Sequence, residues 1–112
     1  MSKRDVSLLL GDMLESARKI KRYTLGCTFE DFLNDDKTAD AVIRNFEIIG
    51  EAANRIDSDF RISQPQLEWT RIRGFRNRIV HEYFGIDYQI VWTIIEDDLS
   101  ELIENLNEIL NK

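Results

Sequence analysis

Apolar residues recur at helical spacing along most of this chain. Within residues 4–25 they fall at Val6, Leu9, Leu10, Met13, Ala17 and Ile20, with Thr24 or Leu25 closing the stripe, which is one face of a helix. Gly26 is placed to stop it. Thr28-Phe-Glu-Asp-Phe-Leu33 opens on a capping residue with an acid three places on, so a short helix is expected there. Asn34-Asp35-Asp36 breaks that pattern and can cap the next helix. From Thr38 to about Ile56 the stripe returns at Ala39, Val42, Ile43, Phe46, Ile49, Ala53 and Ile56. Gly50, Ala52 and Ala53 sit on this second long helix, where a glycine costs about 1 kcal/mol against alanine. Small residues at that point predict the close approach of another helix.

Asp57 to Pro65 reads as a loop, with the only proline at a natural helix start. A third long helix is expected from about Gln66 to Phe84, whole or broken at Gly74. Gly85-Ile86-Asp87 then makes a turn, and Asp87 caps a last helix whose stripe runs through Val91, Ile94/Ile95, Leu99, Leu102, Leu106 and Ile109/Leu110. No sustained alternation marks a strand, and neither an internal repeat nor a low-complexity segment occurs. The pattern predicts an all-α fold, an up-and-down bundle of four main helices plus a short helix. The 112 residues are enough for one domain with one core, spanning residues 1–112.

Composition changes this picture only at its edges. A chain 43% hydrophobic and 32% charged is neither disordered nor membrane-embedded. Met-Ser-Lys-Arg-Asp leads into an apolar patch that Gly11 and Asp12 interrupt, so no signal peptide and a cytoplasmic location are expected. Cys27 is alone, which excludes an intrachain disulfide and a cysteine metal framework. The net charge of −6 argues against broad nonspecific nucleic-acid binding. Its distribution is uneven, however, and the basic stretch Arg71 to Arg78 is followed by an acidic C-terminal segment. A local basic site on an acidic body fits a phosphate-containing target bound locally or transiently.

The stretch Arg71-Ile-Arg-Gly-Phe-Arg-Asn-Arg-Ile-Val-His-Glu-Tyr83 carries the candidate chemistry. It joins Arg71, Arg73, Arg76 and Arg78 to His81, the only histidine. A di-iron bundle would need Glu-x-x-His pairs, and the residue three before His81 is Arg78. Glu47 and Glu51 lie four apart on one helix face, which reads as a solvated face. No metal and no cofactor are expected. Glycine-rich phosphate loops and serine elbows are also lacking.

On one regular helix Asn77 and His81 would be neighbours a turn apart, Arg76 would lie roughly 140° from His81, and Arg76 and Tyr83 would share a face. Arg76 and His81 could then converge only through a distortion near Gly74 or through the meeting of two copies. The second option suits RNA cleavage through the 2′-hydroxyl, which needs a base for that proton and an acid for the leaving 5′-oxygen. One histidine per chain supplies one such group, and a symmetric dimer supplies two. Arginines would grip the phosphate and stabilise its developing charge.

Arg76-Asn-Arg-Ile-Val-His81-Glu-Tyr83 resembles the Arg-x4-His-x-Tyr motif of the HEPN (higher eukaryotes and prokaryotes nucleotide-binding) superfamily, and within it the HepT toxins of toxin–antitoxin pairs. Arg44-Asn-Phe-Glu-Ile-Ile-Gly-Glu-Ala-Ala53, Trp69, Gly85-Ile-Asp87 and Val91-Trp92 extend the likeness over nearly the whole chain. The resemblance implies a homodimeric helical bundle with a metal-independent ribonuclease site at its interface. Arg76 and His81 match the catalytic positions and Asn77 the polar position after the arginine, with Arg73 and Arg78 as supporting RNA contacts. It further implies a minimal nucleotidyltransferase antitoxin that transfers AMP to Tyr83. On the helical reading, a phosphate on Tyr83 could pair with the arginines. The other readings are a non-catalytic nucleotide-binding or docking subunit of a nucleotidyltransferase complex, and a plain helical dimer whose arginines are salt-bridged.

Overall fold

The computed structural model describes every residue except Glu82 and Phe84. Helix α1 (Lys3–Thr24) starts on Ser2, whose side chain accepts from the Asp5 amide. Helix α2 (Phe29–Leu33) begins with the expected capping box: Thr28 accepts from the Asp31 amide at 3.1 Å, and Asp31 accepts from the Thr28 amide at 3.0 Å. Helix α3 (Asp36–Arg55) is capped by Asp35, which takes both the Thr38 amide and the Thr38 hydroxyl.

Two expectations fail after α3. The predicted loop 57–65 contains helix α4 (Ser58–Ser63), nucleated where Asp57 accepts from the Phe60 amide at 2.8 Å. A single turn is too short to show an apolar period. Pro65 does not start a helix; it lies in a turn, and α5 (Trp69–Arg73) begins four residues later.

The third long helix is shorter than its pattern. It breaks at Gly74 into α5 and α6 (Phe75–Ile79), and the break is local, since the Arg78 amide still reaches the Gly74 carbonyl at 3.0 Å. It then stops. Val80–His81 (β1) and Gly85–Ile86 (β2) form a small antiparallel pair with Val80 opposite Ile86 and His81 opposite Gly85. Phe84, the expected helix end, lies outside the described residues. The β-branched pair Ile79-Val80 favours extended backbone. The Asp87 amide then satisfies the helix-end carbonyl of Ile79 at 2.7 Å, which continuation of the helix would have done otherwise. Gly85 closes the turn at φ +76°, a conformation open to glycine without strain.

The last helix also kinks, at Asp98, into α7 (Tyr88–Asp97) and α8 (Leu99–Leu110). Asp87 caps α7 as expected. Helix α1 packs along α3 and against α8, while α5 and α6 lie on α3 and α6 meets α7. The fold is the all-α up-and-down bundle of the sequence pattern, with four main helical segments, extra short helices and one tiny strand pair. A Cβ at Gly50 would sit 3.4 Å from the Ile72 carbonyl of α5, at the near edge of van der Waals contact, so α5 makes the close approach that the small residues predicted. Phe46 and Phe75 stack edge-on at 5.3 Å across that contact, and Phe32 lies 5.4 Å from Trp92 at the other end of the core. The core therefore grips α5 and α6 from α3. Among the described residues no helix is long and apolar enough to cross a membrane.

Candidate functional site

The arginine-rich helices and the strand pair beyond them place the candidate residues on three supports. Arg73 ends α5, Arg76, Asn77 and Arg78 ride on α6, and His81 and Tyr83 belong to the β1–β2 connection. Arg76 and Tyr83 therefore do not share a helix face, nor do Asn77 and His81 stand one helical turn apart. That geometry required a helix running to Phe84. The expected pairing of a Tyr83 phosphate with Arg76 loses its helical basis with it.

The structure separates the arginines by their partners. Arg71 donates to Asp98 at 2.8 Å and to Glu68 at 3.1 Å. Arg78 faces the same Asp98 oxygen at 3.8 Å, and its Nη1 is buried without a hydrogen-bond acceptor among the described residues. Asp98 is about three-quarters covered and sits at the α7–α8 kink, so it ties the arginine-bearing helices to the last one. Arg73 donates through Nε to the Asn54 side chain at 2.7 Å, a neutral partner. Arg76 is exposed, and its side chain makes no hydrogen bond or ion pair among the described residues. Asn77 is likewise exposed. Among the described residues the salt-bridged reading thus holds for Arg71 and Arg78, and Arg76 has no acidic partner.

His81 is exposed on β1, and among the described residues it faces a carboxylate. Nε2 lies 3.5 Å from Oδ2 of Asp87. The other oxygen of Asp87 accepts the Ile90 amide at 3.1 Å. His81, Gly85, Ile86, Asp87 and Tyr88 line a shallow open depression. Tyr83 stands out at the turn, 86% exposed. Sequence reasoning saw Asp87 only as a helix cap and Asp98 only as part of the acidic C-terminal segment. The spacing of Asp87 from His81 could have hinted at the first; nothing local could have found the second. Among the described residues no group of three or more His, Cys, Asp and Glu side chains is arranged to hold a metal.

Comparison with known proteins decides the family. The family described as "Ribonuclease HepT-like" matches residues 13–109, nearly the whole bundle. The chain belongs to the HepT-like family. Among relatives of this HepT-like protein, "Putative RNase MJ1380" of Methanocaldococcus jannaschii is 43% identical over 102 residues, covering 91% of this chain and 94% of that one. "Probable ribonuclease HepT" of Thermococcus cleftensis is 40% identical over 93 residues, covering 83% of this chain and 84% of that protein. No solved structure matches. The family match spans α3, both arginine helices, the strand pair and the kinked last helix, so the candidate site lies wholly inside it.

Proposed function

We propose that this HepT-like protein is an endoribonuclease that works without a metal ion, with Arg76 binding the scissile phosphate and His81 moving the proton. The observation that carries this is the division among the arginines. Arg71 and Arg78 are held by Asp98, whereas Arg76 stands exposed on α6, five residues before an exposed histidine. An exposed guanidinium can take two phosphate oxygens in parallel bonds. The ribonuclease names of the relatives support RNA cleavage as the activity.

In this reading the imidazole accepts the 2′-hydroxyl proton as O2′ attacks phosphorus. The P–O5′ bond breaks, a cyclic phosphate forms, and the departing O5′ takes a proton. Arg76 stabilises charge building on the non-bridging oxygens. The second proton carrier is His81 of a second copy, so the active species is a homodimer. Asn77 and Arg73 contact RNA nearby; Arg78, already facing Asp98, contributes mainly by holding α6 in place. Tyr83 is the regulatory acceptor for a minimal nucleotidyltransferase antitoxin in the same cytoplasm. Its phenolic oxygen attacks the α-phosphorus of ATP, pyrophosphate leaves, and AMP remains on the turn beside His81. The exposure of Tyr83 supports this step.

Protein made without the nucleotidyltransferase, incubated with total RNA and tRNA in EDTA, tests the proposal. Cleavage by wild type that both Arg76→Ala and His81→Ala lose is the expected result. An unmodified, folded wild type that cuts nothing would transfer support to the non-catalytic docking subunit.

A further inference from the structure

We propose that Asp87 is the positioning residue of His81, fixing its proton on Nε2 so that Nδ1 is the nitrogen that exchanges protons with RNA. The inference rests on the ribonuclease reading above and adds an atom-level assignment to it. Three contacts made by one residue carry it. The Asp87 amide donates to the Ile79 carbonyl at 2.7 Å, which anchors the residue to the end of α6. Oδ1 accepts the Ile90 amide at 3.1 Å, which sets the plane of the carboxylate as the cap of α7. Oδ2 is then left facing Nε2 of His81 at 3.5 Å. The carboxylate cannot swing away from the imidazole without uncapping the helix.

His81 needs such a support. Its backbone is held opposite Gly85, but its side chain is 45% exposed, and an imidazole on a surface strand has two free torsions and two tautomers. A carboxylate beside one ring nitrogen selects the tautomer with the proton there and leaves the opposite nitrogen as a lone-pair acceptor. With the proton on Nε2, the nitrogen beside Asp87, Nδ1 accepts the 2′-hydroxyl proton while O2′ bonds to phosphorus. In the protonated ring, Nδ1–H is the donor to the departing O5′. The carboxylate remains ionised throughout and takes no proton.

The single histidine makes this directly measurable, because the imidazole ¹⁵N signals of the untagged protein belong to His81 without further assignment. The neutral wild-type ring is expected to show a protonated Nε2 and a bare Nδ1. Asp87→Asn preserves a side-chain oxygen for the Ile90 amide, since asparagine caps as well as aspartate. Its amide N–H₂ would face Nε2 and donate to it, moving the proton to Nδ1. In that variant kcat is expected to fall about 10²- to 10⁴-fold with KM held, because a wrong tautomer blocks proton transfer and spares binding. Asp87→Ser, which caps but presents no second oxygen, should lose kcat in parallel while keeping its helical circular dichroism.

A wild-type ring protonated on Nδ1 would overturn the proposal whatever the variants do, as would wild-type kcat in Asp87→Asn. A ring protonated on Nε2 in wild type and on Nδ1 in Asp87→Asn, in a protein that cuts no RNA, would instead overturn the catalytic reading and leave the orientation by Asp87 standing; a ring protonated on Nε2 in both would overturn the orientation.

Discussion

Replacing Asp98 by alanine should loosen the whole arginine platform, and the size of the effect can be worked from its two partners. The 2.8 Å bond to Arg71 joins a mostly covered carboxylate to a guanidinium 47% exposed, and Glu68 remains to hold Arg71. Solvent screening limits that loss to about 1 kcal/mol. Arg78 fares worse, because its Nη1 is already buried without an acceptor and Asp98 is its nearby counter-charge. Removing that charge adds about 1–2 kcal/mol. The total, about 2–3 kcal/mol, corresponds to a fall in Tm of about 10 °C or more in a chain of this size. Asp98 makes no side-chain capping bond to α8, so the loss is not a lost cap. Urea unfolding at fixed protein concentration measures it, with Asp98→Asn separating charge from shape. Adding Arg78→Met to Asp98→Ala should recover at least about 1 kcal/mol by removing the stranded cation. An Asp98→Ala protein within about 0.5 kcal/mol of wild type, where surface changes ordinarily fall, would refute the role assigned to this carboxylate.

Two further perturbations probe the turn and the entry to α3. Gly85→Ala meets open space but forces alanine to φ +76°, so it should lose about 1–2 kcal/mol while cleavage falls further than stability does, because His81 pairs with this residue; equal losses in urea unfolding and turnover would remove the turn from the site. The Asp35 carboxyl is held below its ordinary range by the Thr38 hydroxyl first and then the Thr38 amide. Its contribution to stability is therefore complete above the ordinary carboxylate value and disappears as pH falls through the lower folded value. Unfolding midpoints of wild type and Asp35→Ala should differ at neutral pH and merge in strong acid, and a gap persisting there would contradict the assignment.

Much of this protein is written locally in its sequence. The stripes Val6 to Ile20 and Ala39 to Ile56, the Thr28 capping box, the Asp87 cap and the break at Gly74 each depend on residues within about one turn of one another, and each appears as read. Arg76, His81 and Tyr83 stand out in the sequence through the resemblance to HepT proteins, and the structure adds where each of them sits. The failures have a common cause. Helix α4 is too short to show a period, and the helix predicted to Phe84 has an apolar pattern that a strand pair satisfies as well, once Asp87 supplies the donor that Ile79 needs. Periodicity reports which side of a segment is buried; it does not report where a segment stops when the next segment offers it a hydrogen bond.

The pairings of charged side chains lie further still from the sequence. Arg71 and Asp98 are 27 positions apart, on helices that meet only because the core holds α5 against α3 and the last helix kinks. Which arginine is tied down, which stands exposed, and which nitrogen of His81 meets a carboxylate all depend on that placement. The helices and the chemistry-bearing residues could be read along the chain, because helix formation and capping are short-range. Which of those residues are already spoken for is settled by the packed bundle, because a counter-charge acts through space and not along the chain.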